Sequence, residues 1–93
     1  MFLEIVTPEA ILFSSEVDSI SVPGVNGEFQ MLNNHAPVVS VLKSGEVKIQ
    51  ASNYSIAEKY QNKFSKTADG KLTLTINSGT LELNDNKAII LAD

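Results

Sequence analysis

The stretch Gly27–Pro37 has the sequence Gly-Glu-Phe-Gln-Met-Leu-Asn-Asn-His-Ala-Pro and carries most of the information about the fold. Phe29 and Met31 alternate with polar residues, which is typical of a half-buried β-strand. The pair Asn33-Asn34 indicates a turn, because asparagine tolerates a positive φ and hydrogen-bonds to its own backbone. Pro37 fixes the geometry of the exit from that turn. The stretch therefore predicts a strand, a tight corner and a second strand.

The same alternation of apolar and polar residues occurs at Val47–Ala51, Leu72–Ile76 and Leu81–Leu83. Each of these patterns buries one face of a strand and exposes the other, as in antiparallel sheets. Turn-forming Gly, Pro, Asn and Asp residues separate the apolar segments at short intervals. We therefore predict a mainly β protein, a flattened antiparallel β-sandwich or barrel of about eight to ten short strands.

Two further runs, Val38–Leu42 and Ala88–Ala92, are apolar at adjacent positions. Strands of this kind either bury both faces or present one face to a partner. Pro37 and Gly45 are expected to set the two corners around Val38–Leu42. A β-branched residue in place of Gly45 is then costly if the φ of this glycine is positive.

Residues 52–67 follow a different period, because Ile56, Tyr60 and Phe64 recur every four positions. This spacing predicts one short amphipathic helix within residues 55–66, over about Ile56–Ser65. Ser55 would open it as part of a capping box. The alternative is a mobile hairpin loop.

The length and composition of the chain limit what it can be. Its 93 residues predict a single domain, 1–93, and they include no cysteine that could form a disulfide or a zinc site. The net charge is −4, with seven lysines and no arginine, which argues against binding to nucleic acid or anionic lipid. There is no signal peptide pattern, and no apolar run is long enough for direct insertion into a membrane.

The residues that could carry catalysis are few. His35 is the only histidine, and it has no nucleophile and carboxylate arranged around it in the sequence. Asp69 lies in a turn without the further carboxylates that a metal ion needs. The glycines of Gly24–Gly27 do not lead into a helix that could bind phosphate. We therefore assign no catalytic, cofactor-binding or metal-binding residue, and we predict that the chain is not an enzyme and needs no cofactor.

The stretch Gly27–Pro37 resembles the G-E-x-G-I-x-P-G-H-A-P segment of the epsilon subunit of the bacterial F-type ATP synthase. Met1–Val22 resembles the opening strands of that family. Asn77–Asp93 resembles its closing S-G-G-x-L-E-V and V-x-V-L-A-D strands. The chain departs from the family pattern at Asn33-Asn34, where Pro-Gly is usual, and in an insert between Gln50 and Lys71.

The resemblance implies a non-catalytic rotor subunit in the central stalk, which links the gamma subunit to the ring of c subunits and couples proton flow to ATP synthesis. It places the protein at the cytoplasmic face of the bacterial inner membrane, held there peripherally by the complex. It also implies two contact sites. The residues that match the loop contacting the c-ring are Val25, Asn26, Gly27 and Glu28, and those that match the surface facing gamma are Thr7, His35 and Ser40.

Most members of that family continue into a helical hairpin that restrains ATP hydrolysis and in some members binds ATP. The present sequence stops at Asp93. The resemblance therefore implies coupling without hairpin-based inhibition, and no ATP bound by this chain. The alternative to a rotor subunit is a free-standing β-sandwich binding module.

Overall fold

The computed structural model describes all residues, Met1–Asp93, and contains ten strands and one short helix. The strands are β1 Phe2–Val6, β2 Ile11–Glu16, β3 Ser19–Gly24, β4 Gly27–Leu32, β5 Val38–Leu42, β6 Gly45–Gln50, β7 Phe64–Lys66, β8 Leu72–Ile76, β9 Gly79–Asn84 and β10 Lys87–Ala92. A 3-10 helix, Glu58–Lys63, lies between β6 and β7. The mainly β fold and the single short helix are confirmed.

The strands form one continuous sheet that folds into two layers. The first layer has the strand order β2-β1-β10-β9-β5, and the second has the order β4-β3-β6-β8-β7. β3 joins the layers, because it pairs along its length with β4, at one end with β6, and through Gly24 with Leu42 of β5. All strand pairs are antiparallel except β1 and β10, which are parallel. The fold is thus a curled sheet, intermediate between a sandwich and a barrel.

The apolar side chains that alternate along each strand point between the two layers and fill the space there. Twenty-one buried hydrophobic residues form a single core, among them Leu3, Ile5, Ile20, Met31 and Ile90, which are fully buried. The two runs with adjacent apolar residues do not bury both faces. Val39 and Val41 in β5 are 77% and 59% exposed, and Leu91 in β10 is 53% exposed. These two runs were expected either to bury both faces or to present one face to a partner. In the structure each run leaves an apolar face outside the core.

The turn chemistry is largely as the sequence predicts. The backbone φ is positive at Gly27, Asn34, Gly70, Asp85 and Asn86, and among these Asn34 lies in the turn predicted at Asn33-Asn34. Asn34 donates its backbone N–H to the side chain of Asn86 at 2.8 Å, and Asn33 accepts a hydrogen bond from the amino group of Met1. These two hydrogen bonds connect the corner before His35 to the rest of the barrel. Asn33-Asn34 stands there at the position where Pro-Gly is usual in the family that the sequence resembles.

Gly45 is expected to be sensitive to substitution because of close packing and not because of its backbone φ. Its φ is not in the left-handed region. A Cβ atom at this position would instead lie 2.8 Å from Cβ of Pro23, closer than side-chain carbons approach in proteins. The glycine therefore permits close packing of β6 against β3, and the conditional expectation of a positive φ is wrong.

The helix in the insert is shorter than predicted and of a different type. Only Glu58–Lys63 is helical, and Ser55 makes no capping hydrogen bond because the cap position is Ala57. At Phe64 the chain returns to the sheet, where this residue pairs with Leu74 and its ring centroid lies 6.3 Å from that of Phe13. Burial of Phe64 against the core therefore ends the helix before Ser65.

The turn after β7 contains the one carboxyl group with a clearly displaced pKa. The Thr67 hydroxyl donates a hydrogen bond to Asp69, and with Lys71 nearby this holds the pKa of Asp69 below its ordinary value. We expect an NMR titration to give a lowered pKa, and the Thr67→Val variant to return it toward the ordinary value. The pKa of Asp69 is lower in the folded protein than in the unfolded chain. This carboxylate therefore stabilises the fold at pH values above its unfolded-state pKa, and the stabilisation is lost as the pH falls through its folded-state pKa. An equal pKa in both proteins would contradict this assignment.

Candidate partner-binding surfaces

The predicted c-ring loop is the tip of the hairpin between β3 and β4. Gly27 has a φ of 125°, and no atom lies within 4 Å of where its Cβ would be, so it is required for its backbone conformation rather than for space. Val25 is 53% exposed, and its backbone N–H donates to the carbonyl of Val41 at 3.3 Å. The loop therefore presents an apolar side chain and a carboxylate, Glu28, from a position that is fixed to β5.

Glu28 is not a free carboxylate in this structure. Its Oε2 atom lies 3.3 Å from Nζ of Lys48, and the two side chains are 51% and 36% exposed. A surface ion pair of this kind contributes at most about 1 kcal/mol. It can therefore be exchanged for a stronger contact with a basic group on a partner.

The three residues predicted to face gamma lie at different places along the first layer. Thr7 follows β1 at the end of the barrel that also carries the Val25–Glu28 loop. Ser40 is half-buried in the middle of β5, and with the loop it lines a hollow of about 350 Å³. His35 lies beyond the opposite end of β5, exposed, with its Nδ1 atom 2.6 Å from the carbonyl oxygen of Ala36. The structure thus joins Ser40 to the loop and places His35 apart from Thr7, with β5 running between them.

An apolar row crosses the outer side of the first layer near Thr7. Strand register places five side chains next to one another, one from each strand of the layer: Ile11, Val6, Leu91, Thr80 and Val41. The exposed fractions of Ile11, Leu91 and Val41 are 55%, 53% and 59%. Exposed aliphatic side chains gathered into one row mark an interaction surface, whereas single ones do not.

A hollow of about 620 Å³ opens beside the apolar row. It is lined by Val6–Pro8, Val41-Leu42, Ser78–Thr80 and Leu91–Asp93. Thr7 is among these lining residues, and its hydroxyl is bonded locally to the carbonyl of Ala10 at 3.2 Å. The row and this hollow together form a continuous surface, called here the apolar face, that a protruding side chain of a partner can enter.

The outer side of the second layer has the opposite character. The corresponding row across its five strands consists of Gln30, Ser21, Lys48, Thr73 and Ser65, and none of these is apolar. Thr73 of this row is only 4% exposed, so the row offers a partner mainly the polar side chains of Gln30, Lys48 and Ser65. The apolar face is therefore the better candidate for a protein contact.

The structure brings together no group of three or more His, Asp or Glu side chains that could hold a metal ion. It also has no helix of the length and hydrophobicity needed to cross a bilayer. What it does have is a disulfide-free sandwich with an exposed loop and an apolar face at one end. Fold and surfaces together define a small β-sandwich with two candidate contact surfaces.

The comparisons with known proteins identify the family. Residues 1–61 match the family model described as ATP synthase, Delta/Epsilon chain, beta-sandwich domain. This is more than half of the chain, and the chain belongs to this family. The ATP synthase epsilon chain of Chlorobaculum tepidum is 38% identical over 98% of this chain and 86% of its own length. That of Campylobacter curvus is 38% identical over 100% of this chain and 60% of its own length.

Solved structures agree on the fold. A chain from the central stalk and c-ring of the Tetrahymena thermophila mitochondrial ATP synthase matches with a TM-score of 0.72 and 16% identity, over 99% of this chain and 62% of that chain. A chain of the Euglena gracilis mitochondrial ATP synthase matches with a TM-score of 0.72 and 19% identity, over 97% and 48%. Family membership confirms the prediction that this chain is a non-catalytic subunit, and it favours this over a free-standing binding module.

The sequence alone did not predict that exposed apolar side chains from several strands meet to form the apolar face. The exposed residues Val41 and Leu91 belong to the two apolar runs, for which one exposed face was an open alternative. The missing information was the order of the strands. Only the pairing of β9 with both β5 and β10 brings the two side chains into one row.

Proposed function

We propose that this chain is a rotor subunit in the central stalk of a proton-translocating F-type ATP synthase, where it links the gamma subunit to the c-ring and couples proton flow to ATP synthesis. The observation that carries the proposal is the apolar face, which lies at the same end of the barrel as the Val25–Glu28 loop. A coupling element has to hold two partners at once, and these adjacent surfaces differ enough in chemistry to bind two different ones. Similarity to epsilon chains of bacterial ATP synthases supports the choice of complex.

In this proposal the gamma subunit lies along β5 of the first layer. A partner that covers the apolar face near Thr7 and wraps over the edge of β5 also reaches Ser40, which lies on the other face of this strand from Val41, and, beyond the end of β5, His35. The three residues then belong to one elongated contact although they do not touch one another. His35 serves there as a hydrogen-bonding and packing group, since its ring is exposed and already bonded to the local backbone.

The Val25–Glu28 loop is the proposed contact with the polar surface of the c-ring. The protein is then peripheral to the membrane, on the cytoplasmic face of the bacterial inner membrane, and is held there by the complex. Within residues 1–93 the only helix is Glu58–Lys63, which the sheet holds at both ends. These residues therefore supply contacts for coupling and no helical arm that could extend into the catalytic head.

Affinity purification tests the proposal as a whole. The tagged protein, solubilised from its native membranes in mild detergent, is expected to carry gamma and c subunits with it in fixed proportion. Elution of the tagged chain alone, as a species of 10.1 kDa, would refute the proposal.

The role of Glu28 can be separated from that of its ion pair. We expect Glu28→Gln to weaken attachment to the c-ring about tenfold, because it removes the charge offered to the ring. The control Lys48→Gln breaks the same ion pair but leaves the carboxylate free, so it is expected to keep or strengthen attachment. Binding to c-ring in detergent is the measurement, and both variants should melt within a few degrees of the wild type, since the lost pair is worth at most ~1 kcal/mol. Equal weakening by both variants would mean that the ion pair, and not the carboxylate, matters.

A further inference from the structure

The charges of the chain are divided unevenly between the barrel and the insert. Residues 55–71 contain four of the seven lysines but only two of the eleven acidic residues. The remainder of the chain is strongly acidic. An insert that only had to close the barrel would not need this local excess of positive charge.

A hollow of about 420 Å³ lies beside the basic residues, and half of the residues that line it are polar: Ser55, Gln61, Ser65 and Lys66. Its lining includes Tyr54, Ile56, Phe64 and Leu72, and it contains no carboxylate. Lys66 also lines it, with its ammonium group 5.9 Å from the ring centre of Tyr54. The hollow is thus large enough for an aliphatic or aromatic side chain and has a cation at its edge.

Three of the four lysines of the insert, Lys59, Lys63 and Lys66, form no ion pair with a carboxylate of this chain. The two ion pairs of the structure lie elsewhere, at the amino group of Met1 and at Lys48. Lys59, Lys63 and Lys66 are exposed, and the only cation contacts among them are those of Lys59 and Lys66 with the rings of Tyr60 and Tyr54. Three lysines without an ion pair, one of them at the edge of the hollow, are complementary to a ligand with negative charges around one apolar group.

Closure of the barrel explains only part of this arrangement. The ring centroids of Tyr54 and Phe64 lie 6.0 and 6.3 Å from that of Phe13, so these two side chains cover the open side between β2 and β7. Of the exposed lysines only Lys66 touches this cover, through the ring of Tyr54, whereas Lys59 and Lys63 take no part in it. Their role has to be sought outside the chain.

The position of the hollow distinguishes a polypeptide from a membrane surface. Lys66 pairs with Leu72, which pairs with Ile49, at the end of the second layer opposite to the Val25–Glu28 loop. If that loop faces the c-ring, as the proposed function holds, the hollow points away from the bilayer. Anionic lipid headgroups are then out of reach, and a neighbouring protein is the partner that fits.

We propose that Tyr54–Lys66 form a docking site for an acidic segment of another polypeptide, which inserts one large apolar side chain into the hollow and places its carboxylates against Lys59, Lys63 and Lys66. The choice of a polypeptide rests on the orientation in the proposed function. The site itself rests on the charges and the hollow. It is separate from both the apolar face and the loop, so it provides a third contact surface.

Fluorescence polarisation with the full chain tests the site directly. The probe is a short fluorescein-labelled peptide with several glutamates around one central phenylalanine. We expect saturable binding, lost at high salt, and at least about tenfold weaker binding of a peptide with serine in place of phenylalanine or lysine in place of glutamate. NMR shift changes are expected to be confined to residues 54–72. Absent binding, or shift changes centred on the apolar face, would overturn the proposal.

Protein variants provide the matched controls. Combined replacement of Lys59, Lys63 and Lys66 by glutamine should weaken peptide binding about tenfold without unfolding, since all three are exposed. The control combines Lys43→Gln and Lys87→Gln, which change charge elsewhere and should leave affinity within about twofold. Equal loss in both proteins, or binding of phosphatidylglycerol vesicles in place of the peptide, would contradict the site. Neither outcome bears on attachment to gamma or the c-ring, which is measured separately.

Discussion

Replacing Gly79 by alanine is expected to lower the free energy of unfolding by about 3 kcal/mol, at the upper end of the range for overpacking. A Cβ atom here would lie 2.5 Å from the backbone carbonyl oxygen of Leu91. Backbone cannot rotate away as a flexible side chain can, so β9 and β10 have to separate. The φ of Gly79 is outside the left-handed region, and the cost therefore arises from this contact alone.

Thermal unfolding followed by circular dichroism measures the effect. For a domain of this size, a loss of about 3 kcal/mol lowers the Tm by roughly 12 °C or more. Ser78→Ala is the matched control and should melt close to the wild type, because this exposed neighbour uses only its backbone: its N–H donates to Oδ1 of Asp93 at 3.0 Å and its carbonyl accepts from the N–H of Asp93 at 3.4 Å. A Tm for Gly79→Ala within about 2 °C of the wild type would show that the two strands are not packed as described.

The second large effect concerns assembly and not folding. The double variant Val41→Lys and Leu91→Lys is expected to bind gamma more than about 100-fold less tightly than the wild type. Both side chains are more than half exposed in the free chain, so the lysines remain solvated until a partner covers them. On assembly, two charges would have to be buried without partners, which is costly.

The measurement is binding to a purified catalytic head that contains gamma but lacks this chain. The control Gln30→Lys and Thr75→Lys adds the same charge to exposed positions on the outer side of the second layer and should bind like the wild type. Circular dichroism should show that both doubles fold. If the Val41 and Leu91 double variant binds gamma as tightly as the wild type, the apolar face is not part of the contact. If both double variants lose affinity equally, the loss arises from the added net charge and not from the apolar face.

Period-two patterning was sufficient to predict the fold class, because alternating burial is a local property of each strand. The corner at Asn33-Asn34 was predictable for the same reason, since its turn is determined by residues adjacent in sequence. Two hydrogen bonds hold this corner in place, one between Asn33 and Met1 and one between Asn34 and Asn86. They join segments that are distant in sequence and could not be predicted from it.

The errors at Gly45 and in the insert have a common physical origin. In both places a contact between distant residues overrides the local pattern. Pro23 of β3 leaves no room for a side chain at Gly45, and pairing with Leu74 draws Phe64 out of its helical period into β7. The apolar face likewise depends on strand order. Family resemblance predicted the candidate contact residues one by one, but only the strand order shows that Thr7 adjoins the apolar face while His35 does not.

The most direct test of the central claim is a cryo-electron microscopy structure of the ATP synthase purified through a tag on this chain. We expect density for the ten-stranded sandwich between gamma and the c-ring, with Val41 and Leu91 covered by gamma and the Val25–Glu28 loop against the ring. Absence of the chain from the central stalk would contradict the proposed function. Its presence there with the polar side of the second layer against gamma would contradict the assignment of the apolar face.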